Sequence, residues 1–318
     1  MERLNRRDKN GAHRDKIVLA VCILLLVVFL VYNFVDSGLN LKRTTFFSLE
    51  ELEVYEPPVI FLESEEGETY FISLDAPDNK HILDKNFWLS DYNPVARTFI
   101  YSNNDGAIYE YDLKTDRTTC LIDKDAVCRC LNLPPDFAFG LAHYYFEKDK
   151  ISFVYGEYLV IYDVDNEEFI YSVPGISKEN GIAYIYGWSA PETLIVSGDI
   201  ADNFYETVYY EYDVFTGEKT EISDALGTGI TLAWDKSLGS SVGYKDAFGL
   251  NFFPVLIWDT QNYKIKQLNH GTDTKAYLSN DNKYAMLTWY GEISCIRIED
   301  ESICEVYEAE DRILDIIW

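Results

Sequence analysis

The stretch Ile108–Thr119, IYEYDLKTDRTT, decides the fold of this chain because the sequence repeats it. It predicts one strand that ends near Asp112, a tight turn and a second strand. Similar units recur at intervals of roughly 40–50 residues, the repeat length of β-propeller blades that consist of four short strands. The units share a marker position at the end of their first strand: Asp75, Asp112, Asp163, Asp213, Asp259 and, in a degraded copy, Ile298.

These units predict an all-β fold, a six-bladed β-propeller over residues 57–318, with five or seven blades as the alternatives if a weak repeat is misread. The first blade has only three predicted strands. One strand, Arg312–Trp318, is left over at the C-terminus. We therefore expect the C-terminal strand to complete the first blade and close the ring, because closure leaves no open sheet edge.

The N-terminal region predicts a membrane anchor. Residues 1–16 form a basic tail, and Ile17–Val35 is a run of 19 residues without a formal charge. As a helix, this run spans roughly 28 Å at about 1.5 Å per residue, which matches the hydrocarbon thickness of a bilayer. The positive-inside rule then places residues 1–16 in the cytoplasm and the propeller outside it, with residues 36–56 as a linker. A cleaved signal peptide is the alternative, although the apolar run is longer than the core of most signal peptides.

The charge of the chain limits its partners. The formal net charge is −27 at pH 7, and the few bases in excess lie in the N-terminal tail. An acidic domain repels the phosphate backbone, so we expect no binding to nucleic acid. Cations, basic proteins and neutral ligands remain compatible with this charge.

Five cysteines follow the apolar run. Cys295 and Cys304 lie symmetrically about a predicted turn at Glu299-Asp300, so an antiparallel hairpin would place them directly opposite each other. A cross-strand disulfide and a pair of reduced thiols are both compatible with this spacing. Cys128-Arg129-Cys130 has no second cysteine pair and no nearby histidine, so the sequence predicts no metal site there.

The sequence contains no catalytic signature. Beyond residue 36 there are three histidines, in separate blades, and there is no G-x-S-x-G, P-loop, Rossmann fingerprint or H-E-x-x-H motif. Acid-rich turns such as Asp163–Glu167 lack the spacing of an EF-hand and are interpreted as solvated turns. We therefore expect a protein that is not an enzyme and that has no cofactor.

Aromatic residues are the candidate ligand-binding side chains. The chain has 25 Tyr and 6 Trp. Because innermost strands line the central tunnel of a propeller, aromatic residues on them could stack on a sugar or a peptide. Packing between blades is the competing interpretation for each of them. The candidates are Trp88, Tyr145, Tyr186, Trp188, Trp234, Tyr277 and Trp318.

Two kinds of segment carry a resemblance to known proteins. Trp188–Gly198, Trp234–Tyr244 and Leu278–Trp289 resemble the W-S-P-D-G segment of TolB-type and WD-like propellers, and Tyr212–Gly217 resembles the Y-D-x-x-T-G segment that follows it. The resemblance covers about residues 57–318 and concerns the fold, since none of these segments keeps the full S-P-D-G. It implies a six-bladed propeller that binds proteins, peptides or small ligands.

Two functions are compatible with these observations. In the first, a membrane-anchored extracytoplasmic propeller is a non-catalytic scaffold for another envelope protein, and an exposed apolar patch on one face of the ring is its expected mark. In the second, the propeller is a sensor or carrier that binds a small ligand, a glycan or peptide, at the central tunnel.

Overall fold

The computed structural model describes residues 45–318 apart from gaps at 49–50, 53–56, 84–86, 104–105, 133–139, 141, 146–149, 157, 175–181, 183, 199–206, 223–225, 248–249 and 273–274. Six four-stranded antiparallel sheets follow one another along the chain. Each sheet is one blade of a propeller. The prediction of an all-β, six-bladed propeller is therefore confirmed.

The blades have the following strands, with the innermost strand first. Blade one has β26 (Arg312–Ile317), β1 (Val59–Glu63), β2 (Thr69–Ser73) and β3 (Ala76–Ile82); blade two has β4 (Trp88–Asn93), β5 (Thr98–Ser102), β6 (Ile108–Asp112) and β7 (Arg117–Ile122). Blade three has β8 (His143–Tyr144), β9 (Lys150–Tyr155), β10 (Tyr158–Asp163) and β11 (Glu168–Pro174); blade four has β12 (Tyr184–Ala190), β13 (Thr193–Ser197), β14 (Tyr209–Asp213) and β15 (Lys219–Glu221). Blade five has β16 (Thr228–Leu232), β17 (Leu238–Val242), β20 (Pro254–Asp259) and β21 (Ile265–Gly271); blade six has β22 (Ala276–Leu278), β23 (Tyr284–Trp289), β24 (Glu292–Arg297) and β25 (Ile303–Glu308).

The C-terminal strand closes the ring. β26 pairs antiparallel with β1, and Ile316 lies opposite Ile60 and Ile317 opposite Val59. β26 therefore takes the innermost position of blade one, as the leftover C-terminal strand predicted.

The repeated aspartate is explained by the turn between the third and fourth strands of a blade. The Asp112 carboxylate accepts hydrogen bonds from the backbone N–H groups of Lys114 and Thr115, and Asp213 accepts them from Phe215 and Thr216. Such side-chain bonds replace backbone partners that a tight turn cannot supply. The marker is thus a local turn signal here and at Asp163 and Asp259, whereas Asp75 lies inside a tighter turn, after β2 has ended at Ser73.

In blade six the marker position lies one residue before Ile298, the residue that the sequence predicts. β24 ends at Arg297, whose carbonyl accepts the N–H of Glu301, in the same way that the Asp213 carbonyl accepts the N–H of Gly217. Arg297, and not Ile298, is therefore the equivalent of the marker. Asp300 supplies the side-chain acceptor in this turn, since it binds the N–H of Ser302.

The hydrophobic core lies between neighbouring blades. Phe61 and Phe71 of blade one pack against Phe99 and Tyr111 of blade two, with 5.2 Å between the ring centroids of Phe61 and Phe99. Large flat side chains fill the wedge between adjacent twisted sheets. Comparable buried clusters join each further pair of neighbouring blades, including blades six and one.

One helix occurs in the described part of the chain. α1 (Lys124–Leu131) follows β7, and Asp123 caps its N-terminus by accepting a hydrogen bond from the N–H of Ala126. No helix among the described residues is both long and apolar enough to cross a membrane. The predicted basic tail and the predicted membrane helix Ile17–Val35 lie outside the described residues.

Residues 45–47 of the predicted linker are attached to blade six. The Phe47 N–H donates to the carbonyl of Ile303 (3.1 Å), and the Ile303 N–H donates to the carbonyl of Thr45 (2.9 Å). The Phe47 side chain is buried against Tyr284, with the Arg297 guanidinium 4.8 Å from its ring centroid. These contacts cover part of the outer edge of β25.

A separate compact unit includes residues 245–252, which form a hairpin between β17 and β20 in the sequence. Its strands are β18 (Lys245–Ala247) and β19 (Leu250–Phe252), and Lys245 lies opposite Phe252.

Candidate ligand-binding tunnel

A cavity of about 360 Å³ lies on the axis of the propeller, and the innermost strands of all six blades contribute to its wall. This volume falls within the range of about 300–1,000 Å³ that is typical of small-molecule sites. The tunnel is therefore the candidate functional site.

Four of the seven predicted aromatic residues line this cavity: Tyr186, Trp234, Tyr277 and Trp318. The Tyr186 hydroxyl hydrogen-bonds with Ser197, and the Trp318 ring stacks on Tyr284. Tyr277 is almost fully buried. Their position on the wall is compatible with ligand binding, which remains a prediction.

Trp234 reaches across the tunnel. It follows the innermost strand of blade five, yet its ring makes an edge contact with Tyr144 of blade three, at 5.7 Å between centroids. Blade four lies between these two blades in the ring. Trp234 thus forms part of the floor of the cavity, at the end where the first strands turn into the second strands.

The other three predicted residues lie away from the cavity wall. Trp88 is the first residue of β4 and is 55% exposed. Tyr145 follows β8, and its ring makes an edge contact with the ring of Trp188, at 4.8 Å between centroids. Trp188 is fully buried, and its Nε1–H donates to Ser152 Oγ (2.6 Å) on blade three. Tyr145 and Trp188 therefore pack between blades.

A bulge separates Tyr186 from Trp188. In a regular strand, residues two positions apart point to the same face. The pairing of β12 with β13 shifts between Ile185 and Gly187, so Tyr186 is an extra residue on β12. The bulge places Tyr186 on the cavity wall and Trp188 between the blades. The alternation of side chains along a regular strand would have placed both residues on the same face.

Charged side chains on the wall are the residues that sequence reasoning missed. Two lysines and two aspartates line the cavity: Asp91, Lys236, Lys275 and Asp315. Lys275 Nζ lies 3.3 Å from a carboxylate oxygen of Asp315. Asp91 accepts hydrogen bonds from the backbone N–H groups of Tyr92 and Tyr144. A charged residue within an innermost strand or close to one of its ends was the available signal.

Lys236 is a buried cation in this cavity. The residue is only 8% exposed, and its Nζ lies 5.6 Å from the centroid of the Trp234 ring. Among the described residues, no carboxylate lies within ion-pair distance of this ammonium. A lysine that is this extensively buried usually has a carboxylate partner, so this residue is unusual.

His143 lies on the same wall. Burial lowers the pKa of its imidazole, and the nearby charge of Lys236 lowers it further, whereas Asp91, with an oxygen 3.9 Å from Nδ1, acts in the opposite direction. Its Nε2 has no hydrogen-bond partner among the described residues. In the neutral tautomer that carries its proton on Nδ1, Nε2 is a buried hydrogen-bond acceptor.

The described part of the cavity contains no bonded nucleophile–base pair. Ser90 also lines the wall, but neither Ser90 Oγ nor His143 Nε2 has a hydrogen-bond partner, so they do not bond each other. Among the described residues, no group of His, Cys, Asp and Glu side chains could hold a metal ion. The arrangement is suited to binding, and the expectation that the chain is not an enzyme stays a prediction.

Cys295 and Cys304 lie directly opposite each other on β24 and β25, and both thiols are free in this structure. Burial raises the pKa of both thiols. Both side chains pack under Phe47. The two cysteines lie opposite each other as predicted, and a disulfide between them remains a prediction.

Comparison with known proteins finds structural similarity only. No known protein family and no curated protein matches this sequence. Among solved structures, the chain is similar to TolB from Acinetobacter baumannii, with a TM-score of 0.57 and 12% sequence identity over 82% of this chain. The match spans 66% of the TolB chain. The TolB-like propeller fold that the sequence segments indicated is thus confirmed.

Proposed function

We propose that this chain is a membrane-anchored extracytoplasmic propeller that binds another protein and catalyses no reaction. The observation that carries the proposal is a set of exposed aromatic side chains on one face of the ring. They are Trp88 (55% exposed), Tyr184 (46%), Trp289 (44%) and Tyr290 (85%).

The topology assigns these residues to the same face. In a four-stranded antiparallel blade, the first strand begins at the end where the second strand turns into the third. Trp88 and Tyr184 are the first residues of the innermost strands β4 and β12. Trp289 and Tyr290 lie at the turn from the second strand to the third strand in blade six.

Exposed aromatic residues favour a protein partner, since Tyr and Trp are enriched at protein interfaces and dominate their binding energy. The net charge of −27 favours a partner with a basic binding surface, because complementary charge accelerates encounter. The apolar run Ile17–Val35 supports an anchor, with the N-terminus in the cytoplasm and the propeller on the other side of the membrane. An envelope protein is then the expected partner.

Cross-linking of the full-length protein in cells, followed by mass spectrometry of the co-purified proteins, tests this proposal. We expect one stoichiometric partner, cross-linked near Tyr290. The variant Tyr290→Ser should reduce its recovery at least about tenfold, as truncation of an interface hot spot does.

A matched control is Phe215→Ser. Phe215 is 57% exposed but lies in a turn between third and fourth strands, on the opposite face. It should leave recovery unchanged. Equal loss with both variants, or a partner cross-linked to the opposite face, would contradict the proposal.

The second candidate function is binding of a small ligand in the tunnel. The observation that favours it is the cavity of about 360 Å³ with aromatic and charged side chains on its wall. A ligand that raises the melting temperature of the full-length protein should lose this effect in Trp234→Ala and keep it in Trp88→Ala. Retention in both variants would place the ligand elsewhere.

A further inference from the structure

The cavity holds one cation that forms no ion pair among the described residues. Lys275 is paired with Asp315, and Asp91 is bonded by two backbone N–H groups and faces His143. Lys236 has no such partner and is more than nine-tenths buried. A bound anion would supply the missing counter-charge.

A second unsatisfied group lies close to Lys236. His143 is also more than nine-tenths buried, it lines the cavity, and its Nε2 has no hydrogen-bond partner. In the neutral tautomer that carries its proton on Nδ1, Nε2 accepts a hydrogen bond from an O–H or N–H group. Lys236 and His143 come from blades five and three, so only the folded ring brings them together.

We propose that the tunnel binds a carboxylate that carries an adjacent hydrogen-bond donor, because the Lys236 ammonium attracts an anion at contact distance, whereas the repulsion from the net charge of −27 is screened by salt. The carboxylate binds the Lys236 ammonium, and the neighbouring O–H or N–H donates to His143 Nε2. The rings of Trp234 and Tyr277 contact the rest of the ligand. This inference rests on the tunnel as a ligand site, the second candidate function.

Two sources share this chemistry. A small 2-hydroxy acid has a hydroxyl beside its carboxylate, and the free C-terminus of a peptide has an amide N–H there. The cavity volume of about 360 Å³ admits a ligand of either size.

Isothermal titration calorimetry on the full-length protein tests the proposal with three probes: lactate, acetyl-Ala-Ala with a free carboxylate, and the C-terminal amide of the same peptide. We expect at least one carboxylate to bind and the amide to bind at least about tenfold more weakly, since a hydrogen bond to a charged group is worth this much. Tighter binding of lactate indicates a small hydroxy acid, and tighter binding of the peptide indicates a C-terminus.

The variant Lys236→Met should lose at least about tenfold in carboxylate affinity. Without ligand it should melt at the same or a higher temperature than the wild type, because it removes an unpaired buried charge. Lys219→Met is the matched control: Lys219 also lies over an aromatic ring, that of Tyr210, but on the outermost strand of blade four. It should bind the carboxylate as the wild type does.

Equal affinity for the carboxylate and the amide, or unchanged affinity in Lys236→Met, would overturn the carboxylate assignment. If a neutral ligand binds the wild type but not Trp234→Ala, the tunnel remains a ligand site and only the proposed carboxylate chemistry is wrong. If neither the three probes nor any neutral ligand binds in the tunnel, both the assignment and the second candidate function fail.

Discussion

Ring closure predicts that two isoleucine-to-alanine substitutions differ strongly in their effect on stability. Ile316 lies on β26 and is 3% exposed, and it packs in a cluster that joins blade one to blade six. Ile82 lies on the outermost strand of blade one and is 67% exposed. Ile316→Ala removes side-chain atoms from the closure point, and Ile82→Ala removes the same atoms from the surface.

The structure gives the size of the expected effect. The neighbours of Ile316 in this cluster, Ile60 and Met286, are fully buried, so the cavity left by Ile316→Ala can collapse only in part. A buried Ile→Ala change of this kind costs about 3–4 kcal/mol of the free energy of unfolding. For a domain of this size that corresponds to a fall of roughly 6–16 °C in melting temperature. Ile82→Ala should change the free energy of unfolding by less than about 0.5 kcal/mol.

Differential scanning fluorimetry on the two full-length variants measures this difference. Deletion of Ile313–Trp318 extends the test, because it removes most of β26 and opens the ring. Melting temperatures within about 2 °C of each other for the two Ala variants, or a deletion variant that melts like the wild type, would refute closure by the C-terminal strand.

Two further predictions concern residues away from the closure point. Trp188→Phe removes the hydrogen bond to Ser152 and should cost about 1–3 kcal/mol of the free energy of unfolding. The affinity of a tunnel ligand should change less than about twofold. A loss of affinity without a fall in melting temperature would contradict the packing role. Backbone hydrogen bonds, first of all from Thr216, lower the pKa of Asp213 below its ordinary value. Its stabilising contribution is therefore complete above the unfolded pKa of about 3.9 and is lost as the pH falls through the lower folded value. The melting temperature of Asp213→Ala should thus lie below that of the wild type at pH 7 and approach it at about pH 3, and a difference that grows on acidification would contradict this sign.

The candidate site was only partly predictable. Tyr186, Trp234, Tyr277 and Trp318 lie on the tunnel wall because innermost strands line the axis, and the repeat pattern identifies those strands. Trp188 packs between blades, the competing interpretation for each candidate, and a bulge at Tyr186 separates it from the tunnel wall. Bulges depend on pairing with the next strand, and the residues of one strand do not reveal them.

The charged residues of the site illustrate a second limit. Lys236 follows one innermost strand, and His143 lies on another, far away in the sequence. In the sequence each is an isolated polar residue. Their proximity, the burial of both side chains and the missing counter-charge exist only after six blades surround a common axis.

By itself, the sequence predicted the repeated blades and the closing strand, and the structure confirms six blades. The turn that begins at a marker such as Asp112 or Asp213 is stabilised by hydrogen bonds within a few residues, so it leaves a local and repeated signal. The tertiary structure decided which aromatic residues line the tunnel and that Lys236 is left without a partner. Those properties depend on contacts between distant strands and on the exclusion of water from the axis, and no short segment encodes either.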